Sequence, residues 1–387
     1  MLRVVLDPAA PLRTEQLWVT AVNAVLSRQQ DTGTVYRVDD RAEAGRGEVR
    51  EEEQRRLLAK FALDSERVIR RSERLDIYRR LAQGLLERGR AVADGDRLRL
   101  KTPEAPVTFD DAIRGAQSIP PEMIADTVLI DADGNPSADL ASAVDDMLDA
   151  VTLAVVPDRS LTAAARQEHI RRQLDYDAPV TWLHLPPLET DGGMTDVLEL
   201  LEAGYLPDAI LNALLSLGVQ PPETVFTLPD AVAWYTPQAL SDAPVRLDAD
   251  HLRALNRAHL HRMDDKALSA LYGFADAEIG RLVKLYLDEA PTLKELDARI
   301  RPFFAPKPCD GAWGEAMRRL SGAIATMPVL RTWPEAQAYL TDRTGLTGPA
   351  LEKPLRRLLT GTESGPPLEA IYPHIQSYIT EVARCPH

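Results

Sequence analysis

Apolar positions along this chain follow two regimes. "LRVVL" (2 to 6) and "TVYRV" (34 to 38) read as short buried strands, and Trp18, Val22, Val25 and Leu26 between them mark an amphipathic helix. Helical spacing returns at 73 to 89, where Leu75, Tyr78, Leu81 and Leu85 share a side and Gly89 lies near the end. "DTVLIDADGNPS" (126 to 137) predicts a strand running into an Asp-Gly turn, and "VTLAVV" (151 to 156) a further buried strand. The charged stretch from Asp39 to Arg56, with Glu51-Glu52-Glu53, reads as a solvated loop and helix start. Helices alternating with β-branched strands up to about residue 190 predict an α/β layer on a mostly parallel sheet.

Beyond residue 196 the strand pattern nearly vanishes. Segments 196 to 218, 229 to 240, 248 to 262, 265 to 288, 291 to 303, 313 to 325, 333 to 344 and 348 to 360 read as helical. Several open on a capping residue or proline, as in "TLPDAV", "LDADHL" and "TWPEAQ". Leu206, Ile210, Ala213, Leu214 and Leu217 form one buried face, preceded by a Gly192-Gly193 turn. Pro221-Pro222 reads as a joint and "FFAPKPCDGAW" (303 to 313) as a linker between helical subdomains. The expected division is 1 to 195, 196 to 302 and 303 to 387.

Composition narrows the function. A chain of 387 residues, 45% hydrophobic and 27% charged, exceeds what one core usually serves. Its net charge of −14 argues against a protein coated in phosphate-binding groups and against a DNA-binding role, though a local basic face is compatible with it. No lysine lies between Lys101 and Lys266, so no ammonium chemistry comes from that stretch. There is no apolar run of membrane-spanning length and no signal-peptide pattern, which predicts a cytoplasmic protein without a membrane partner. Cys309 and Cys385 suggest neither a disulfide framework nor a C-x-x-C metal pair and are expected reduced. No cofactor or metal is expected.

Four stretches resemble glutamyl-tRNA synthetase, a class I aminoacyl-tRNA synthetase: "SERLDIYRRLAQGLLERGRA" (72 to 91), "VTFDDAIRG" (107 to 115), "AGYLPDAILNALLSLG" (203 to 218) and "GLTGPALEKPLRRLLTGTESGPPL" (345 to 368). The resemblance implies a Rossmann-like catalytic-type domain followed by an all-α stem-contact and anticodon-binding-like bundle. It also implies what is missing. Val5 stands where the family has a substrate-binding arginine, and Glu15-Gln16-Leu17-Trp18 where it has a His-Ile-Gly-His-like motif opening the first helix. The first histidine of the chain is His169, so no shift of register restores that motif. The family's lysine-bearing loop is replaced by "ETDGGMTD" (189 to 196), whose ionisable side chains are all acidic. Ala138, Ser142 and Val156 take the places of a substrate-contacting tyrosine, asparagine and second arginine, and "RLRLKTPEAP" (97 to 106) those of the module handling the tRNA 3′ end.

What remains supplies two sets of candidate residues. Asp39, Asp40, Asp145 and Asp146 are the acids of a residual pocket, Asp39 matching one that faces the amino group in the family. Asn256, Arg257, His261 and Arg262 lie in a segment resembling the stem-contact region, and Lys353, Arg356 and Arg357 form a compact basic patch suited to RNA phosphates. The favoured reading is a catalytically inactive paralogue that binds tRNA, weakly and salt-sensitively, or a protein partner. A repurposed enzyme acting on a small nucleotide or amine through the four aspartates, and a structural subunit of a larger complex, are the alternatives.

Overall fold

The computed structural model describes residues 1–40, 47–65, 67–157, 161–191 and 195–385. The chain divides into two compact units, Met1–Leu200 with Ile210–His251, and Leu201–Ala209 with Leu252–His387.

The first unit is built on a seven-stranded sheet. β1 (Leu2–Leu6), β2 (Thr34–Val38) and β3 (Val68–Arg70) run parallel on one side. The three-stranded antiparallel sheet that follows contains β4 (Ala91–Asp94), β5 (Arg97–Leu100) and, later in the chain, β8 (Val128–Ile130). β6 (Val107–Asp111) and β7 (Gly115–Ile119) form a hairpin at the large sheet's far edge, and β9 (Leu153–Pro157) and β10 (Thr181–Leu185) close the gap. The order is β3-β2-β1-β9-β10-β6-β7, with only β7 antiparallel. The first five helices are α1 (Thr14–Gln29), α2 (Gly47–Lys60), α3 (Leu75–Glu87), α4 (Ala138–Leu148) and α5 (Leu161–Gln173). This is the expected Rossmann-like arrangement, in which the strand order reverses between β1 and β9, the position at which open α/β sheets generally bind ligands.

The local readings hold where a hydrophobic face had a partner. Trp18, Val22, Val25 and Leu26 are buried on α1, and Tyr78 and Leu85 on α3 are fully enclosed with Leu75 and Leu81 packed beside them. The acidic run does not behave as a solvated stretch throughout. Glu51 is buried and receives Arg70 at 2.6 Å, because α2 turns that position toward β3. The remainder of that stretch, 41 to 46, and the Gly192-Gly193 turn lie outside the described residues.

α6 (Val197–Glu202) and α7 (Pro207–Leu215) are separated at Gly204, whose φ is +89° and whose missing Cβ would lie 2.4 Å from the Lys294 nitrogen. α8 (Leu228–Trp234) ends earlier than expected, and the region has a strand the apolar pattern did not reveal. Val245–Leu247 forms β12, pairing in parallel with β11 (Leu188–Thr190). Three residues are too few to display alternation, so only the distant partner defines that strand.

α9 (Ala249–Arg262) leads into the helical unit. Segment 265 to 288 is two helices, α10 (Asp265–Ala270) and α11 (Glu278–Lys284), broken at Gly273 with φ +83°. α12 (Leu293–Phe304), α13 (Gly314–Ala325), α14 (Trp333–Thr344) and α15 (Pro349–Thr360) match the periodicity, and α16 (Leu368–Ile375) and α17 (Ile379–Val382) complete the bundle. Caps fix the starts: Thr332 Oγ1 accepts the Glu335 N–H at 3.4 Å while Glu335 accepts the Thr332 N–H at 3.2 Å. Leu296, Ile300, Phe303, Met317, Leu320, Leu355 and Leu358 are among the residues of one apolar core. No helix among the described residues is long and apolar enough to cross a membrane.

The cysteines overturn an expectation. Cys309 and Cys385 are disulfide-bonded, with Cα atoms 5.7 Å apart across a sequence separation of 76. Spacing along the chain gave no sign of this, because the folding of five helices brings the two together.

Candidate functional site

The N-terminus of α1 follows the carboxyl end of β1. A helix start normally offers unpaired N–H groups to an anion. Here that offer is partly withdrawn. The Thr14 N–H donates to the Thr195 carbonyl at 3.0 Å, the Val197 N–H donates to Leu12 O at 3.1 Å, and Arg13 and Asp196 form an antiparallel bridge. Thr195–Val197 thus pair with Leu12–Thr14, the segment leading into α1. Glu15 places a carboxylate in the first turn of α1, and the Gln16 side chain turns back to donate to Val5 O at 2.9 Å.

The loop from β1 to α1 is also held from the α2 side. Gln54 donates to the carbonyls of Asp7 at 2.8 Å and Ala10 at 2.7 Å, and Arg50 to Ala9 O at 2.7 Å. What remains is a cleft of about 360 Å³ lined by Arg13, Thr14, Glu15, Pro187, Leu188, Thr190 and Thr195. The Trp18 indole is 1% exposed and part of the α1 core face.

None of the four candidate acids lines this cleft. Asp39 accepts from buried Arg71 at 2.8 Å, and Asp40 accepts the Ser72 N–H at 2.9 Å and the Ser72 hydroxyl. This pair therefore anchors the turn at residues 71 to 74. Asp145 and Asp146 lie side by side on α4, 3% and 0% exposed. Asp145 accepts from the Tyr78 hydroxyl at 2.9 Å and Arg74 at 2.8 Å, with Arg37 3.8 Å away. Burial pushes its carboxyl up, against the pull of Arg37, Arg74 and Tyr78. Asp146 lies 2.5 Å from Arg3 and 3.8 Å from Arg171.

The buried arginines are the part that sequence reasoning passed over. Strand alternation puts Arg3 on the face of β1 opposite Leu2, Val4 and Leu6, and Arg37 opposite Tyr36 and Val38 on β2. A guanidinium within a buried parallel strand requires a buried counter-charge, and Asp145-Asp146 supply it. Burial and the neighbouring Arg3 lower the Arg37 pKa. A second pair was also missed. His184 Nδ1 lies 2.6 Å from Asp111 Oδ2, and Asp111 further accepts the N–H groups of Ile113 at 2.9 Å and Arg114 at 2.8 Å. Burial raises the Asp111 carboxyl, but these hydrogen bonds outweigh it and leave it below its ordinary range.

The candidate RNA residues fall into two kinds. Asn256 is buried, accepting the Leu206 N–H at 2.7 Å and donating to Pro291 O at 2.6 Å, as a tie between chain segments. Arg257 is exposed and lies 3.0 Å from Asp288, and His261 and Arg262 are exposed at the end of α9. On α15, Lys353 is exposed, Arg356 donates to Pro366 O at 2.9 Å, and Arg357 lies 3.7 Å from Glu363. Among the described residues, no group of three His, Cys, Asp or Glu side chains is placed to hold a metal ion.

Comparison with known proteins agrees with this architecture. Residues 94–253 match the family model described as tRNA synthetases class I (E and Q), catalytic domain. The chain is 38% identical to glutamate-tRNA ligase 2 of Sulfurovum sp., over 99% of this chain and 100% of the relative. It is 30% identical to glutamate-tRNA ligase 2 of Sulfurimonas denitrificans, with the same coverage. A solved glutamate tRNA ligase from Elizabethkingia meningosepticum, in complex with its amino acid, shares the fold with a TM-score of 0.77 at 19% identity, covering 99% of this chain and 98% of that one.

Proposed function

The chain belongs to the glutamyl-tRNA synthetase family of class I aminoacyl-tRNA synthetases, and on that premise we propose that it no longer activates glutamate and acts as a tRNA-binding factor. The observation that carries this reading is the pairing of Thr195–Val197 with the start of α1 at Leu12–Thr14. Adenylate formation needs donors and positive charge around a triphosphate. At this helix start one N–H is committed to Thr195, Glu15 adds negative charge, and among the described residues Arg13 is the one cation lining the cleft. The absence of histidine before His169 and of lysine between Lys101 and Lys266 removes the residues that resemblance would assign to the phosphates. Asp39, the acid matched to the substrate's amino group, is engaged by Arg71.

The names of the full-length relatives point to aminoacylation, and the retained length supports an RNA surface on the helices. Lys353 is the exposed cation of α15, Arg357 is half-buried beside Glu363, and Arg356 is partly committed to Pro366. A cytoplasmic location fits a partner of this kind.

Glutamate-dependent ATP–pyrophosphate exchange tests the first half of the proposal. Exchange at the no-enzyme background is expected, and exchange above it overturns the reading. Gel retardation of tRNA tests the second. Binding at low salt should weaken steeply as salt rises and should be lost in the double variant Lys353→Glu/Arg357→Glu. Absence of retardation at low salt excludes tRNA as the ligand and leaves a protein partner.

A further inference from the structure

We infer that the Cys309–Cys385 disulfide is a redox-controlled clasp whose reduction by a dithiol releases the C-terminal segment from the helical core. The bond closes a loop containing α13 to α17, so it ties the end of the bundle to the connection that follows α12. Its two ends differ in access: Cys309 is 8% exposed, whereas Cys385 is only half-buried. A reductant thiolate therefore meets the Cys385 sulfur first.

That attack forms a mixed disulfide and expels Cys309 as thiolate. The reductant's second thiol then attacks the mixed bond and expels Cys385. Two electrons pass to the cysteine pair, two protons complete the two thiols, and the reductant leaves as its own disulfide.

The same two segments are joined a second time without covalent chemistry. Lys307 is buried and donates to Val382 O at 2.6 Å and to Phe303 O, linking the last turn of α12 to α17. No carboxylate shares this site with the amine among its hydrogen-bond partners, and burial lowers its pKa to about 8. Once the disulfide opens, α17 is held by noncovalent ties alone, among them this one and the burial of Val382 and Ala383, and these do not match a covalent closure. Four helical residues do not sustain a helix on their own, since nucleation consumes what so short a segment gains. α17 packs against α12, α13 and α15, so its release uncovers the apolar groove between them. The covalent bond thus decides whether that groove is filled. Disulfides that persist in oxidising compartments are rare in reducing ones, where they act as transient or sensing elements.

Hydrogen exchange read by mass spectrometry on the full chain, with and without dithiothreitol, tests the clasp. Protein purified without reductant should show no alkylatable thiol, and dithiothreitol should expose two. Amide exchange across residues 376–385 should rise at least tenfold on reduction while α4 remains unchanged. The variant Cys309→Ser/Cys385→Ser should exchange like reduced wild type and ignore dithiothreitol. Should that variant not fold, the oxidised and reduced wild-type protein give the deciding pair. Two free thiols in protein prepared without reductant, or equal exchange before and after reduction, overturns the inference.

Discussion

In the sheet unit Arg3, Arg37, Arg71 and Arg171 are buried, and so are the carboxylates of Asp145, Asp146 and Glu168. The helical unit fills its interior with leucine, isoleucine and aromatic side chains, and Lys307 is its one buried Lys, Arg, Asp or Glu among the described residues. Both interiors are close-packed, but they are held by different physics. Dispersion and the hydrophobic effect in the bundle depend on volume and tolerate exchange of one apolar shape for another. A buried ion pair depends on the partner charge, and removing one member strands the other. The sheet unit thus adds paired buried charges to its apolar core, and those charges lie apart from the cleft at the α1 start.

Asp146→Ala should give the largest effect. It leaves Arg3 without its carboxylate and removes one of the two that flank Arg171, Glu168 remaining, and should cost about 3–5 kcal/mol in urea unfolding followed by tryptophan fluorescence. A loss under about 1 kcal/mol means that water reaches these ions and the contrast fails. Asp146→Asn keeps the shape and should still be costly.

The matching change in the helical unit is somewhat smaller. Leu355, fully buried, should cost about 3 kcal/mol as Leu355→Ala, yet less than about 1.5 kcal/mol as Leu355→Met, measured by the same unfolding curves. Equal costs for those two variants would show that shape, not volume, governs the bundle.

Acidification should produce a milder loss in both units. Burial lowers the pKa of His169 in the sheet unit, opposed by its hydrogen bond to Lys101 O at 2.8 Å, and burial likewise lowers that of His259 in the helical unit. Because the folded pKa lies below the unfolded value near 6.5, the unfolded chain takes up protons first as pH falls. The stability these groups permit is present above about pH 6.5 and is lost below it. Thermal melts between pH 7 and 5 should show the decline, and His169→Gln/His259→Gln should flatten it. An unchanged slope in that variant places the acid sensitivity on other groups.

Arg257→Ala marks the lower end. Its partner Asp288 is 91% exposed, so the change should shift stability by no more than about 0.5 kcal/mol in the same melts.

Local sequence determined the elements with a full period to display. The strand at Leu2–Leu6, the α1 face carrying Trp18 and Val22, the capped start of α14 and the α/β-then-α order were all legible, because the apolar spacing that defines them lies within one segment. Part of the candidate site was legible in the same way. Glu15 at the α1 start and the lysine-free stretch could be read directly, whereas the pairing of Thr195–Val197 with the segment leading into that start could not. Tertiary structure alone decided which distant groups meet. It turned Asp39 toward Arg71, placed Asp146 against Arg3, made a strand of Val245–Leu247 and joined Cys309 to Cys385. The physical reason is range. Periodicity reports which side of an element seeks burial, but a charge, a strand edge or a thiol finds its partner through the packing of elements far apart in the chain.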